Sequence, residues 1–535
     1  MDKVLIRAKE NKFVLILLLF IIIFSGYVRL KIINGSLPYI GHPDEPALTK
    51  VPLRILKTGD FNPHTFIWPS LPYYITAASF VLGYLNSVSR GEIENIKKID
   101  SISYPFYPQK RLVFPAKVIF ALLSIVTMLL IGIIAHNVSG NKHSIYLAPL
   151  LLTLSPLYLF HSARYLNVDI IGTFFAVLSI WYIIKRLEID SFLTKAIIPG
   201  ILCGLAIASK YNFYLTLIPP ALAIIFYSKK QKLGKILLLF CVAIIIFIIC
   251  VPYSILDFST FLDGIVFNIN HYKSGHTGFT AIPGITQFFY YCNGLIGEYG
   301  VIFMIFTLLG VLYSLVSDPK RGLVLLAFPL LILIYMSSLS VHFMRNILAV
   351  FVFVCIYCSF GIFLVFKYLS LQLKKIPFFL NKKILYKAVP IFLCAAIITI
   401  TLPVKSIVNA YDLKPDSRNL SIHWIRSNLP LGSKIFIPQE LDLDTRELEK
   451  SYKIRHFNGL KLRGNFKESI LGSYVLIPHY GYDQRYPAGR GKALQHNRFF
   501  KEFDKIVEFG KKPVLVNYYR AVPTGDPKFY IGRIR

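Results

Sequence analysis

Long apolar runs separated by short polar ones organise most of this chain. Eleven of them approach the roughly 20 residues that a helix needs to cross the hydrocarbon core of a bilayer. They are 13–30, 114–135, 144–160, 168–184, 196–208, 211–227, 236–251, 301–316, 323–336, 347–366 and 389–404. The first run ends in Arg29 and Lys31 with no small-residue cleavage site, so it reads as a retained span. Two longer polar stretches interrupt the series, 33–111 and 252–300. In the first, Ala47, Leu48, Val51, Leu53, Ile55 and Leu56 are spaced for an amphipathic helix lying in the interface, with Lys50, Arg54 and Lys57 on other faces. Pro69-Ser70-Leu71-Pro72 then opens a stretch, 73–85, whose Gly, Pro and aromatic content suits an interfacial or re-entrant helix; a further pair of spans is the alternative.

From 406 onward the pattern changes to that of a soluble domain. Leu420 to Leu429 reads as a helix, Pro430-Leu431-Gly432-Ser433 as a turn, and 434–437, 474–477 and 514–518 as strands, with another helix near 494–503. The expected architecture is a polytopic α-helical membrane protein of about 11–13 spans. Residues 1–405 form the membrane domain, with 33–111 and 252–300 as its long outer loops, and 406–535 form an extracytoplasmic α/β domain.

Composition and charge sharpen this in one respect. Of 535 residues 55% are hydrophobic and the mean hydropathy is +0.56, yet the net charge is +31, from 59 Lys+Arg against 28 Asp+Glu. The location of the charge decides between lipid and nucleic acid. With the N-terminus in the cytoplasm, the inner segments carry twenty Lys and Arg, whereas the short outer segments carry Arg164, Lys210, Lys273 and Arg345. Residues 406–535 hold a further 23 cations against 13 acids. The basicity is therefore mostly orientation, and nucleic acid is not needed as a partner. The expectation is a multi-pass protein of a bacterial or archaeal plasma membrane. Six of the seven cysteines lie in apolar runs, and no CxxC pair flanks a polar turn, which argues against a zinc or redox site.

Candidate chemistry then falls on the outer side. Asp44 and Glu45, bracketed by Pro43 and Pro46, place carboxylates near the membrane surface, where one can act as a general base; alternatively Asp44 caps the following helix. His42 and His64 nearby leave a divalent metal open, although no ligand spacing supports one. Arg164, Asn167 and Asp169 share a tight turn and read either as an Arg164–Asp169 ion pair or as a second carboxylate and a cation facing the first loop. Lys210 and Tyr211 sit between two short spans, on the side otherwise poor in lysine, as anion ligands or as interfacial anchors. His342, Arg345 and Asn346 open a late span, where an arginine at a helix N-terminus suits a phosphate.

These pieces resemble the GT-C superfamily, and within it the phospholipid-carrier-dependent group that includes protein O-mannosyltransferases and the aminoarabinose transferases of lipid A. The resemblance lies in His42-Pro43-Asp44-Glu45, the stretch Trp68 to Tyr74, Ser155-Pro156 through Arg164 to Asp169, Gly204 to Lys210, and His342-Phe343-Met344-Arg345. A Trp424-Ile425-Arg426 helix before Pro430-Leu431-Gly432-Ser433 is a further element. The resemblance implies an inverting glycosyltransferase that moves a sugar from a polyprenyl-phosphate donor to an extracytoplasmic protein, lipid or glycan. In it Asp44 would be the base and Asp169 a second site acid, while Lys210 and Arg345 would neutralise the leaving phosphate with His342 nearby. Asn346 stands where that group usually has Tyr, and Ser70 where it has Pro. The competing expectations are a lipid-linked sugar flippase, which should carry charge at mid-membrane and internal repeats, and a lipid-linked glycan polymerase or ligase.

Overall fold

A computed structural model describes residues 2–42, 44–99, 107, 109–276, 279–375, 415–441, 443–457, 473–478, 504–509 and 529–533. The apolar run expected at 389–404, the strand at 514–518 and the helix at 494–503 lie outside these residues.

The apolar runs within the described residues fold as helices. Among the described residues six are long and apolar enough to cross a membrane: Lys12–Ser36 within α1 (Asp2–Ser36), α4 (Lys110–Ser139), α7 (Val168–Lys185), α10 (Lys232–Cys250), α15 (Pro319–Ser337), and Met344–Lys374, whose α-helical part is α16 (Leu348–Lys374). Two more candidates are bent. The pair α5 (Ser144–Thr153) and α6 (Pro156–Ala163) turns by 76°, and the pair α13 (Ile285–Tyr299) and α14 (Val301–Ser317) by 112°. The remaining two runs are the shorter apolar stretches Leu193–Ser209, which contains α8 (Ile198–Ser209), and Tyr211–Tyr227, which ends in α9 (Ile218–Tyr227). Large apolar side chains stay uncovered along these helices, as with Phe13, Ile16, Phe20 and Ile23 on α1 and Leu237, Ile244, Ile245 and Ile249 on α10. Such surface suits lipid, because helices satisfy their own backbone while leaving apolar side chains outside. The chain is a multi-pass membrane protein.

The two bends meet. The break between α5 and α6 falls at Ser155-Pro156, where proline supplies no N–H. Glu298, two residues before the break at Gly300, accepts hydrogen bonds from Ser155 Oγ at 2.6 Å and Leu157 N–H at 2.7 Å. Close approach elsewhere depends on glycine: a Cβ on Gly310 of α14 would lie 1.8 Å from the Tyr357 carbonyl oxygen of α16, and one on Gly361 of α16 lies 1.9 Å from that of Phe306. The two helices therefore touch backbone to backbone in both directions.

The spans are not as free of charge as their hydropathy implies. Arg29 is fully buried in α1, with Nε donating to Ser124 Oγ at 2.9 Å and Ser162 Oγ at 3.1 Å, and with a further bond to Ser25. Lys117, buried in α4, donates from Nζ to the Arg164 carbonyl at 2.7 Å.

The first long polar stretch contains α2 (Ala47–Thr58) and α3 (Leu71–Val88). On α2, Leu48, Leu53 and Ile55 are buried and Lys50 is exposed. Residues 59–70 between them are pinned by side chains: Tyr74 and Tyr211 hydroxyls donate to the Phe61 and Phe66 carbonyls, and Asn62 Nδ2 donates to Asp257 at 2.7 Å. The second long stretch is itself largely helical, with α11 (Tyr253–Leu256) and α12 (Phe258–Ser274) ahead of α13.

Two compact units are present: 1–30, 47–97 and 111–411, and, separately, 31–46, 98–110 and 412–535. In the second, β1 (Lys434–Pro438) lies parallel to both β2 (Lys453–Phe457) and β3 (Tyr474–Pro478). β5 (Phe529–Arg533) runs antiparallel to β3 and to β4 (Asp504–Phe509), giving the order β2-β1-β3-β5-β4. Helix α17 (Ser417–Asn428) contributes Ile425 to a core with Ile435, Ile437, Leu448 and Leu476. Asn419 Nδ2 donates to the Gly35 and Leu37 carbonyls, and Arg418 lies 3.7 Å over the Tyr39 ring, which ties the C-terminal residues to 31–46.

Candidate functional site

Asp169 occupies the first turn of α7, where the helix dipole favours a carboxylate. Asn167, the N-cap, accepts the Asp169 N–H at 2.9 Å. Lys210 ends α8 in an extended conformation and carries its ammonium to Asp169 Oδ1, 2.6 Å away. Both side chains are buried, 3% exposed for the acid and 10% for the base. Asp169 therefore pairs with Lys210 instead of Arg164, because the packing of α7 on α8 brings together residues 41 positions apart. Arg345 and Tyr272 lie within electrostatic reach of the same ammonium. Arg345 belongs to the short 3-10 turn Met344–Ile347 that opens the last described span, and its guanidinium covers the Phe343 ring at 4.6 Å. Tyr272, near the end of α12, donates to Asn346 Oδ1 at 3.3 Å. One carboxylate, two cations, a phenol and an amide thus gather at the ends of α7, α8, α12 and the Met344–Ile347 turn. An anion entering here would meet two positive charges.

The other expected residues are distributed around this cluster. The His342 ring packs against that of Tyr290 with centres 4.5 Å apart and planes tilted by 47°; its Nδ1 is buried without a hydrogen-bond partner among the described residues. Burial pushes its imidazole below the usual range, favouring the neutral form. Tyr211 commits its hydroxyl to the Phe66 carbonyl at 3.0 Å, so it anchors the 59–70 segment. Arg164 closes α6 as its C-cap, and its carbonyl receives Lys117.

Asp44 and Glu45 belong to the second unit. Asp44 Oδ2 lies 3.8 Å from His42 Nδ1, and the Asp44 N–H donates to that nitrogen at 3.1 Å. About a third of the Asp44 side chain is exposed. Glu45 is fully buried and accepts the Gly41 N–H at 2.8 Å. Burial, followed by this neighbouring carboxylate, drives the Tyr107 phenol well above its ordinary range. His64, the other histidine of the metal expectation, bonds Asp60 at 2.6 Å. Among the described residues no three His, Cys, Asp or Glu side chains gather as a metal site requires.

Sequence reasoning missed Tyr272 and the bond that Ser155 donates to Glu298. Tyr272 sits inside a polar stretch rich in aromatic residues, where nothing in the spacing separates it from its neighbours.

The chain has relatives of known kind. Residues 111–255 match the family described as dolichyl-phosphate-mannose-protein mannosyltransferase. That segment contains Arg164, Asp169, Lys210 and Tyr211. No curated protein matches the sequence. Among solved structures, the chain is similar to the oligosaccharyltransferase AglB of Archaeoglobus fulgidus, determined with an inhibitory peptide and a dolichol-phosphate. The identity is 14% and the TM-score 0.49, over 77% of this chain and 58% of that one. The chain thus spans little more than half the length of that protein. It is also similar to ArnT of Cupriavidus metallidurans bound to undecaprenyl phosphate, with 11% identity and a TM-score of 0.47 over 97% of each chain. The motifs and the match over residues 111–255 agree: that stretch is similar to the dolichyl-phosphate-mannose-protein mannosyltransferases.

Proposed function

We propose that this protein moves a monosaccharide from a polyprenyl-phosphate donor to an extracytoplasmic acceptor, with inversion at the anomeric carbon. The observation that carries the proposal is the buried Asp169–Lys210 pair at helix ends with the partly buried Arg345 in electrostatic reach, the pair lying inside the segment matched to a polyprenyl-phosphate-using family. Phosphate leaves readily only where its growing charge is stabilised by groups already in place. Arg345 offers the planar fork suited to phosphate oxygens, and Lys210 adds a charge whose position Asp169 fixes.

Asp44 is assigned as the base. It takes the proton from the acceptor hydroxyl or amine, whose lone pair bonds to the anomeric carbon. The bond from that carbon to the phosphate oxygen breaks with its electron pair, and the polyprenyl phosphate departs. Glu45 shapes the turn that presents Asp44 through its bond from Gly41 N–H. Arg164 and His342 are assigned to the border of the donor site, and Tyr211 holds the 59–70 segment through the Phe66 carbonyl. The charge bias of the loops supports a cytoplasmic N-terminus and an extracytoplasmic C-terminal domain. The acceptor is a protein, lipid or glycan on that side.

Purified protein in nanodiscs, given labelled mannosyl-phosphoryl-undecaprenol and scored for released undecaprenyl phosphate, tests the phosphate role. Arg345→Ala is expected to raise the donor KM about 10-fold or more, the size of one lost charge-assisted hydrogen bond. A donor KM equal to wild type in this variant removes Arg345 from the phosphate site.

A further inference from the structure

Several buried polar atoms near the ion cluster have no hydrogen-bond partner among the described residues: Thr173 Oγ1, both Asn212 Nδ2 and Oδ1, and Asn346 Nδ2. The three side chains are at least nine-tenths buried. An amide brings two donors and an acceptor oxygen with two lone pairs, and native interiors leave few such groups unpaired without a reason. Their positions give one. Thr173 lies one helical turn beyond Asp169 on the same face of α7. Asn212 is the second residue after Lys210, and Asn346 directly follows Arg345. The chain after Lys210 also packs tightly on α7, since a Cβ on Gly172 would come within 2.7 Å of the Phe213 ring. Tyr272 holds Asn346 Oδ1, which fixes the amide and leaves Nδ2 as its free donor; the Tyr291 phenol lies alongside without bonding geometry. Each charged member of the cluster is thus accompanied by an unpaired neutral group.

Resting on the function proposed above, we infer that Asn212 and Asn346, with Thr173, hold the sugar of the donor, and that this sugar is neutral and hydroxylated. A sugar hydroxyl both donates and accepts, and amides and a threonine hydroxyl answer it in both senses. The ammonium of an amino sugar is best answered by a carboxylate, and the one in this cluster, Asp169, already holds the Lys210 ammonium through Oδ1. Sites built to hydrogen-bond a substrate group discriminate strongly against ligands that lack it.

The test uses Asn212→Leu and Asn346→Leu in the full-length protein. Replacing the unpaired Asn212 amide with an apolar group of similar size leaves stability unchanged or raises it, whereas Asn346→Leu also gives up the bond from Tyr272, so Tm is measured alongside. Three probes are compared: mannosyl-phosphoryl-undecaprenol, glucosaminyl-phosphoryl-undecaprenol and sugar-free undecaprenyl phosphate. Wild type is expected to prefer the mannosyl donor by about 10-fold or more. Each variant should raise the mannosyl-donor KM by about 10-fold or more while binding undecaprenyl phosphate within about two-fold of wild type, with Asn212→Leu at an equal or higher Tm. Mannosyl-donor KM values unchanged in both variants overturn the inference and assign those atoms to ordered water. Equal loss of sugar-free undecaprenyl phosphate overturns it too, as does a wild-type preference for the amino sugar. Should a leucine variant fail to fold, Asn212→Asp and Asn346→Asp keep the shape, lose the donors and are read in the same way. Wild-type protein that neither binds undecaprenyl phosphate nor turns over either donor sinks the underlying function instead.

Discussion

Lys210 and Asp169 form a buried pair, and buried pairs are costly to break because the remaining charge stays in a poorly solvating site. Lys210→Met is expected to cost about 3–5 kcal/mol, and Asp169→Asn combined with it should recover much of that loss. Thermal unfolding of the two single variants and the double reads the coupling directly; a double variant as unstable as the sum of the singles would deny that the two groups act as a unit. The exposed Asp60 behaves differently. A hydrogen bond from His64, then the Asn62 N–H and Arg54, hold its carboxyl down at about 2. A depressed acid contributes stability that is present above its unfolded value, 3.8, and lost as pH falls through about 2. Proteolytic nicking of residues 59–70 should therefore increase as pH is lowered across that window, and Asp60→Asn should remove the dependence; an unchanged pH profile in the variant would contradict it. Asp169, Lys210 and Arg345 were legible in the sequence because each stands out against its surroundings, above all a lysine on the lysine-poor side. Their pairing was not, since it depends on how α7 packs on α8. Arg29 and Lys117 were missed as buried polar anchors because a single charge barely lowers the hydropathy of a 20-residue window, while the serines that satisfy Arg29 come from three different helices.

At the scale of elements, the apolar runs were readable throughout the described residues, and the bends were not. Hydropathy continues across Ser155-Pro156, and the fold of α5 against α6 depends on Glu298, 143 positions away, accepting from Ser155. Glu298→Ala is expected to lower Tm and turnover together, with Glu298→Gln recovering part of both because an amide oxygen still accepts from Ser155 and Leu157. Wild-type behaviour of the alanine variant would show that the bends hold without this contact. The α14–α16 contact makes a sharper demand. A methyl group on Gly361 meets backbone, which cannot swing aside as a side chain can. Gly361→Ala should destabilise by about 1–3 kcal/mol or more, whereas Gly59→Ala, with open space at the Cβ position, meets only its positive φ. Equal Tm values for the two variants would contradict the close approach. The helices inside 252–300 were not legible, because a polar excursion between spans looks like a loop until its interfacial apolar residues, such as Phe258, Leu262 and Val266, are seen uncovered on α12.

For the whole molecule, the sequence distinguished a lipid-embedded, mostly helical part from a C-terminal stretch with strands, and both are present. The division by contacts is finer than a single cut, since 31–46 and 98–110 group with the C-terminal residues. Asp44 and Glu45 therefore belong to the unit that carries the sheet, and the Asp169–Lys210–Arg345 cluster to the helical unit. The base and the phosphate-binding cations of the proposed transfer thus come from distinct parts of the chain. The most direct measurement is a single-turnover assay of purified wild type and Asp44→Asn with labelled mannosyl-phosphoryl-undecaprenol and a membrane extract as the source of acceptor. The account predicts that wild type transfers label and releases undecaprenyl phosphate, while Asp44→Asn still binds the donor but transfers at most about one part in 100 as fast, the scale of a lost general base. Transfer by Asp44→Asn at the wild-type rate, or a wild type that carries the intact donor across a bilayer without cleaving it, would contradict it.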